Sequence, residues 1–148
     1  MVWQQRIDVR GPSLIAAALI CCSANVWSDP QQDYVLNCMG CHQVDGGGQP
    51  PAIPNLKDRV GYYLTVPQGR AYLVQVPGAA NSLLGDRELT GVLNWMVDEF
   101  AGVSRPAKFE PFAVEEVAAY RRQRPADIDA LRHTLKADIA RDHPGFGY

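Results

Sequence analysis

Two thiols and an imidazole fall within five residues at Cys38-Met39-Gly40-Cys41-His42. Cysteines at this spacing can hold zinc, cycle as a redox pair, or add across the two vinyl groups of haem. Zinc needs two further ligands in a second pair, and the remaining histidines, His133 and His143, stand far off in a charged C-terminal segment. A thiol–disulfide pair leaves the adjoining histidine without a task. Covalent haem uses all three residues, Cys38 and Cys41 as thioethers and His42 as the proximal iron ligand held beside the ring. The motif is therefore read as the attachment point of one haem c. Iron would carry the redox chemistry, so no side chain is expected to act as catalytic acid, base or nucleophile.

The segment before the motif reads as an export signal over residues 1–28. Arg6 and Arg10 form a basic start, and Leu14 to Cys22 is a short apolar run. That run is too short to span a bilayer, so cleavage is expected and no retained membrane span. Val26 and Ser28 place the preferred mature start at Asp29, with Ala24 as the alternative. Lipid attachment at Cys21 is disfavoured by the bulky Ile20 before it. Export points to the periplasm. It also removes Cys21 and Cys22, so the haem pair would be the only cysteines left and no disulfide could form.

The stretch 29–102 is short for a core that buries side chains alone, and bound haem would supply the missing apolar surface. Its acids, Asp29, Asp33, Asp45, Asp58, Asp86, Glu88, Asp98 and Glu99, outnumber Lys57, Arg59, Arg70 and Arg87. An acidic core is the wrong sign for nucleic acid and the right one for a protein partner with a basic rim.

Asp29-Pro30 is a helix start, with an acceptor side chain at the cap and a proline whose missing donor costs nothing in the first turn. Tyr34 falls one turn before Cys38. Further on, Leu89, Val92, Leu93, Met96, Val97 and Phe100 make one continuous helical stripe, opened by Gly85 or Asp86 and closed by Gly102. Between them, Asp45-Gly46-Gly47-Gly48 and Pro50, Pro51 and Pro54 mark loop. Val60, Tyr62, Leu64 and Val66 alternate like a strand, and Gly69 to Gln75 suits a short helix.

With these pieces in place the chain resembles class I c-type cytochromes over about residues 29–102. The resemblance implies that Tyr34 packs against the last core helix, where Trp95 would meet it. Pro54-Asn55-Leu56 is similar to that family's proline-asparagine-leucine turn; by resemblance the Pro54 carbonyl would orient His42 and Leu56 would cover the haem. The expected fold is all-α: a cytochrome c-like helical domain around one covalently bound haem, plus a C-terminal helical extension over 103–148.

In that extension Ser104 to Pro111 reads as a strap, followed by helices over Phe112 to Arg124 and Pro125 to Arg141. Ile128, Leu131, Leu135 and Ile139 form a narrow apolar stripe that must cover the core, its neighbour or a partner. Arg121, Arg122 and Arg124 read as a solvated basic face. Tyr62, Tyr63 and Tyr72 are read chiefly as packing residues, with haem propionates as the functional alternative.

The sixth iron ligand departs from the family. The resemblance implies a methionine in the loop before the last core helix, but Val76-Pro-Gly-Ala-Ala-Asn-Ser82 has none. After signal removal Met39 and Met96 remain, and Met39 sits between the two cysteines on the proximal side. Met96 is the leading distal candidate, behind a weakly ligated or open site; Asn81, His133 and His143 are weaker alternatives. The expected function is a periplasmic one-electron carrier, not an enzyme. The resemblance implies redox partner proteins, a dehydrogenase as donor and a cytochrome or terminal oxidase as acceptor. A haem subunit fixed permanently to a dehydrogenase, and an open-site haem enzyme or gas-binding protein, are the alternatives.

Overall fold

The computed structural model describes Met1 and residues 29–146, so the export segment with Cys21 and Cys22 lies outside the described residues. Among those residues the protein is all-α, with seven α-helices, two short 3-10 helices and no strand beyond an isolated bridge between Gln49 and Ile53. No described helix is long and apolar enough to cross a membrane.

Helix α1 (Pro30–Asn37) starts as its sequence dictates: the Asp29 carboxylate accepts from the Gln31 amide at 3.0 Å and Pro30 fills the first turn. It runs into a single turn, α2 (Met39–His42). Helix α5 (Asp86–Phe100) buries every residue of its stripe, Leu89, Val92, Leu93, Met96, Val97 and Phe100. Helices α1 and α5 pack on each other and hold the haem motif. Residues 60–65 form a 3-10 helix where alternation suggested a strand; α3 (Gly69–Gln75) and α4 (Pro77–Ala80) follow.

The glycine-rich loop after the motif is fitted to this frame at two points. Gly46 adopts φ +74°, and a Cβ there would lie 2.7 Å from the Phe100 ring. At Gly48 a Cβ would come within 2.3 Å of the Ile53 carbonyl. Neither site has room for a side chain, and the first also needs the left-handed backbone that glycine adopts without strain.

Residues beyond α5 form α6 (Val114–Arg122) and α7 (Ile128–Asp142), with Pro125 in the connection and Asp127 capping α7 through the amides of Asp129 and Ala130. Helix α6 packs on α3 and α5, and α7 on α3 and the 60–65 turn, so Val117, Leu135 and Ile139 are buried against the molecule's own core.

The strap is fastened by side chains. Asn94 imitates a strand pairing with Phe112, accepting from its amide at 2.7 Å and donating to its carbonyl at 3.1 Å. Arg70 donates to both Glu116 oxygens, and to the Glu110 and Pro111 carbonyls, while its guanidinium lies 4.1 Å from the Phe112 ring centroid. Of the expected solvated face Arg122 is exposed, but Arg121 and Arg124 form a clamp instead. Arg121 donates to the carbonyls of Ser82 and Leu84 and to Asp86, and Arg124 reaches Ala80 and Asn81. Arg121 is thereby spent on the backbone of the loop between α4 and α5, whose carbonyls have no helical partner.

The hydrogen bonds from Arg70 hold the Glu116 carboxyl below its ordinary value of 4.5, against the opposing effect of burial. A depressed carboxylate pKa adds stability that is present above the unfolded value and lost as pH falls through the folded one. Glu116→Gln is expected to cost the holoprotein about 1–2 kcal/mol at neutral pH. That deficit should shrink below pH 4.5, and thermal unfolding of both proteins across this range checks it.

Candidate functional site

A cavity of about 340 Å³ opens between α1, α3, α5 and the loop after the cysteine motif. Cys38, Cys41 and His42 line it from one side, Pro54 and Leu56 from the loop, and Leu89, Val92, Leu93 and Met96 from α5. The structure thus brings together all six residues singled out from the sequence, Cys38, Cys41, His42, Pro54, Leu56 and Met96. Tyr63 and Tyr72 also line the cavity, but Tyr62 does not.

Tyr34 positions the motif from beneath. It is 1% exposed, sits 5.1 Å from Trp95 and 5.2 Å from Phe100 between ring centroids, and donates its hydroxyl to the Gln43 carbonyl at 2.7 Å. Burial pushes this phenol up to about 12, with Cys38 and Asp45 adding to the effect. The turn carrying His42 is therefore pinned to the α1–α5 crossing by a neutral hydroxyl. Trp95 meets Tyr34 as the resemblance implies, and Phe100 of the helical stripe completes a three-ring cluster.

The electrostatics separate the readings of the motif. Burial, reinforced by Cys41 and Asp33, raises the Cys38 thiol to about 11, whereas a reactive redox cysteine needs a depressed value. Both cysteines are unpaired thiols, and no three His, Cys, Asp or Glu side chains among the described residues could share a metal ion. Burial lowers the His42 pKa, only partly offset by the Pro54 carbonyl, so the imidazole is held neutral with a lone pair to donate. His42 Nδ1 is buried and lacks a partner of ordinary hydrogen-bond geometry among the described residues. Pro54 is thus close enough to act on the ring without closing a regular bond to it. A neutral imidazole and two thiols beside an apolar cavity fit haem and leave zinc short of ligands.

A match to the family described as "Cytochrome c" spans residues 30–99. The chain belongs to the cytochrome c family. Two proteins named "Cytochrome c-552", both from Thermus thermophilus and the second from a specified strain of it, are each 31% identical to it over 118 residues. The alignments take in 66% of this chain and 90% and 80% of the two relatives. The cytochrome carries covalently bound haem c and is an electron-transfer protein by family.

Its distal wall differs from the family pattern inferred from the sequence. Val76, Pro77, Gly78, Ala79 and Ser82 line the cavity without a thioether, and among the described residues Met96 is the one methionine lining it. Asn81 is not part of the lining and accepts from Arg124. His133 is exposed and His143 packs tilted against Tyr62 with ring centroids 4.4 Å apart, and neither lines the cavity. The residue that sequence reasoning missed is Arg132, which enters the lining from α7 and donates from Nε to the Tyr72 hydroxyl at 2.7 Å. Nothing in its local spacing marks it, because its partner lies 60 positions earlier.

Proposed function

We propose that this cytochrome is an exported, periplasmic single-haem carrier that takes one electron from a dehydrogenase and passes it to another cytochrome or a terminal oxidase. The observation that carries this reading is the convergence of Cys38, Cys41 and His42 on one largely apolar cavity. Cys38 and Cys41 would anchor the macrocycle, His42 would ligate iron on the proximal side, and Pro54 and Leu56 would orient the imidazole and cover the ring. When bound, haem supplies reversible one-electron chemistry at iron. The chain's task is then to hold the ring, exclude water and present an acidic surface for a brief encounter. The apolar stripe of α7 is covered by the protein's own core, which supports a free carrier over a subunit gripped through that helix.

A redox titration followed by visible spectra tests this: the holoprotein should show one reversible one-electron wave. Multi-electron behaviour, or haem that cannot be cycled, would refute it. On the distal side Met96 is the leading protein ligand, but its place within the α5 stripe favours packing over reach toward iron. The ferric protein should therefore lack the near-infrared band of iron–methionine ligation, and the ferrous protein should bind carbon monoxide readily. A strong band abolished by Met96→Ala would show instead that the last core helix closes the site.

A further inference from the structure

We propose that Arg132, on α7 and outside the residues matched to the cytochrome c family, completes the haem site by binding a haem propionate, with Tyr72 holding the guanidinium in place. The inference rests on the cavity being the haem site. Among the described residues that line the cavity there is no carboxylate, and Arg132 is the one guanidinium. With its side chain 22% exposed, this permanent cation is only partly solvated, and an anion that meets it in the cavity is favourable.

The anions already present do not fill that role. Asp129, one turn earlier on the same helix, stands 3.8 Å from Nη1 with a side chain 78% exposed, a surface pair of small worth. Among the described residues the single hydrogen bond of Arg132 is the one from Nε to Tyr72. Tyr72 is itself 3% exposed and stacked on Tyr63 at 5.2 Å, so the acceptor that fixes Nε is rigid. With Nε fixed, the two terminal nitrogens form a preorganised fork, the shape that takes a carboxylate through two parallel bonds.

Haem brings two such carboxylates, on the ring edge away from the vinyl groups that thioethers consume. Cys38, at the junction of α1 and α2, and Cys41, on α2, enter the cavity from helices that pack on each other, with α1 also on α5. Arg132 enters from α7, which packs on α3 and the 60–65 turn. The anchoring end and the cationic end thus come from different walls. The extension therefore belongs to the haem site, and haem binding and the docking of α7 stabilise one another by linkage.

The test uses full-length holoprotein with Arg132→Gln, Arg132→Lys and Tyr72→Phe. Covalent haem should be retained in all three, because the thioethers are untouched. In Arg132→Gln the propionate bending bands in resonance Raman spectra should shift and the midpoint potential should fall, since a cation nearby favours the reduced iron. Arg132→Lys should recover the potential in part but not the bands, and Tyr72→Phe should perturb the bands while keeping the charge. A lowered potential with unchanged bands would mean action at a distance and would overturn the contact, as would a variant indistinguishable from wild type. Wild-type protein gives an independent measurement should Arg132→Gln fail to accumulate. With nitrogen-15 arginine, one guanidinium should be shifted by ferric iron and protected from exchange, and its absence would overturn the proposal. Wild type without covalent haem would instead overturn the carrier reading and this one with it, a result that none of the arginine measurements resembles.

Discussion

Replacing Cys38 and Cys41 together by alanine is expected to abolish covalent haem and, with it, the native fold at ordinary temperature. The haem cavity measures about 340 Å³. At about 24 cal/mol per Å³, keeping such a void open would cost about 8 kcal/mol, an upper figure because its rim meets solvent. Whole domains of this size have stabilities of only about 5–15 kcal/mol, so an empty cavity would consume most of the margin. The chain has little to set against that loss, since its two described cysteines form no disulfide and its core is small. The apo chain should collapse around the cavity or remain partly unfolded. Single substitutions should be milder, because one thioether still tethers the ring. Haem staining on a denaturing gel reads the attachment, and far-ultraviolet circular dichroism with heating reads the fold. Full retention of covalent haem in the double variant would end the assignment of these cysteines.

The features that were legible in the sequence are those whose cause is local. Asp29 caps α1 because its acceptor side chain sits where the first amides need one, and the α5 stripe is visible because a buried helical face repeats with the helical period. The 60–65 stretch shows the limit. Its alternation of Val60, Tyr62, Leu64 and Val66 suggested a strand, yet Gly61 is clasped by Ser104, donating to its hydroxyl at 3.0 Å, and a Cβ on Gly61 would lie 2.3 Å from the Ser104 carbonyl. A contact 43 positions away settles that conformation. The arginines make the same point. Arg121 finds backbone carbonyls in the α4–α5 loop and Arg132 finds Tyr72, partners that no periodicity encodes. The cysteine motif was legible because three reactive groups are adjacent in the chain. The cavity that receives them, and the basic residue that also lines it, are products of the tertiary fold.

Tyr34→Ala is expected to destabilise the holoprotein by about 3–5 kcal/mol, the cost of removing a large aromatic from a packed core. Three contributions converge on this ring. It is 1% exposed, so nearly its whole apolar surface is buried on folding. Its centroid lies 5.1 Å from Trp95 and 5.2 Å from Phe100, two tilted contacts each worth about 0.5–1.5 kcal/mol beyond burial. Its hydroxyl bonds the Gln43 carbonyl at 2.7 Å and approaches that of His42 at 3.3 Å, tying the end of the haem motif to the helix crossing. Tyr34→Phe separates these terms. It keeps the ring contacts and should lose about 1 kcal/mol, the net worth of one hydrogen bond. Trp95→Ala should fall between the two, because Trp95 is only half-buried and α5 retains Phe100 beside Tyr34. Guanidinium titrations of the three holoproteins give the order directly. Covalent haem should persist in all of them, since attachment depends on the thiols rather than on the crossing. If Tyr34→Phe proves as damaging as Tyr34→Ala, the hydroxyl and not the aromatic cluster holds α1 against α5, and the packing account of this crossing fails.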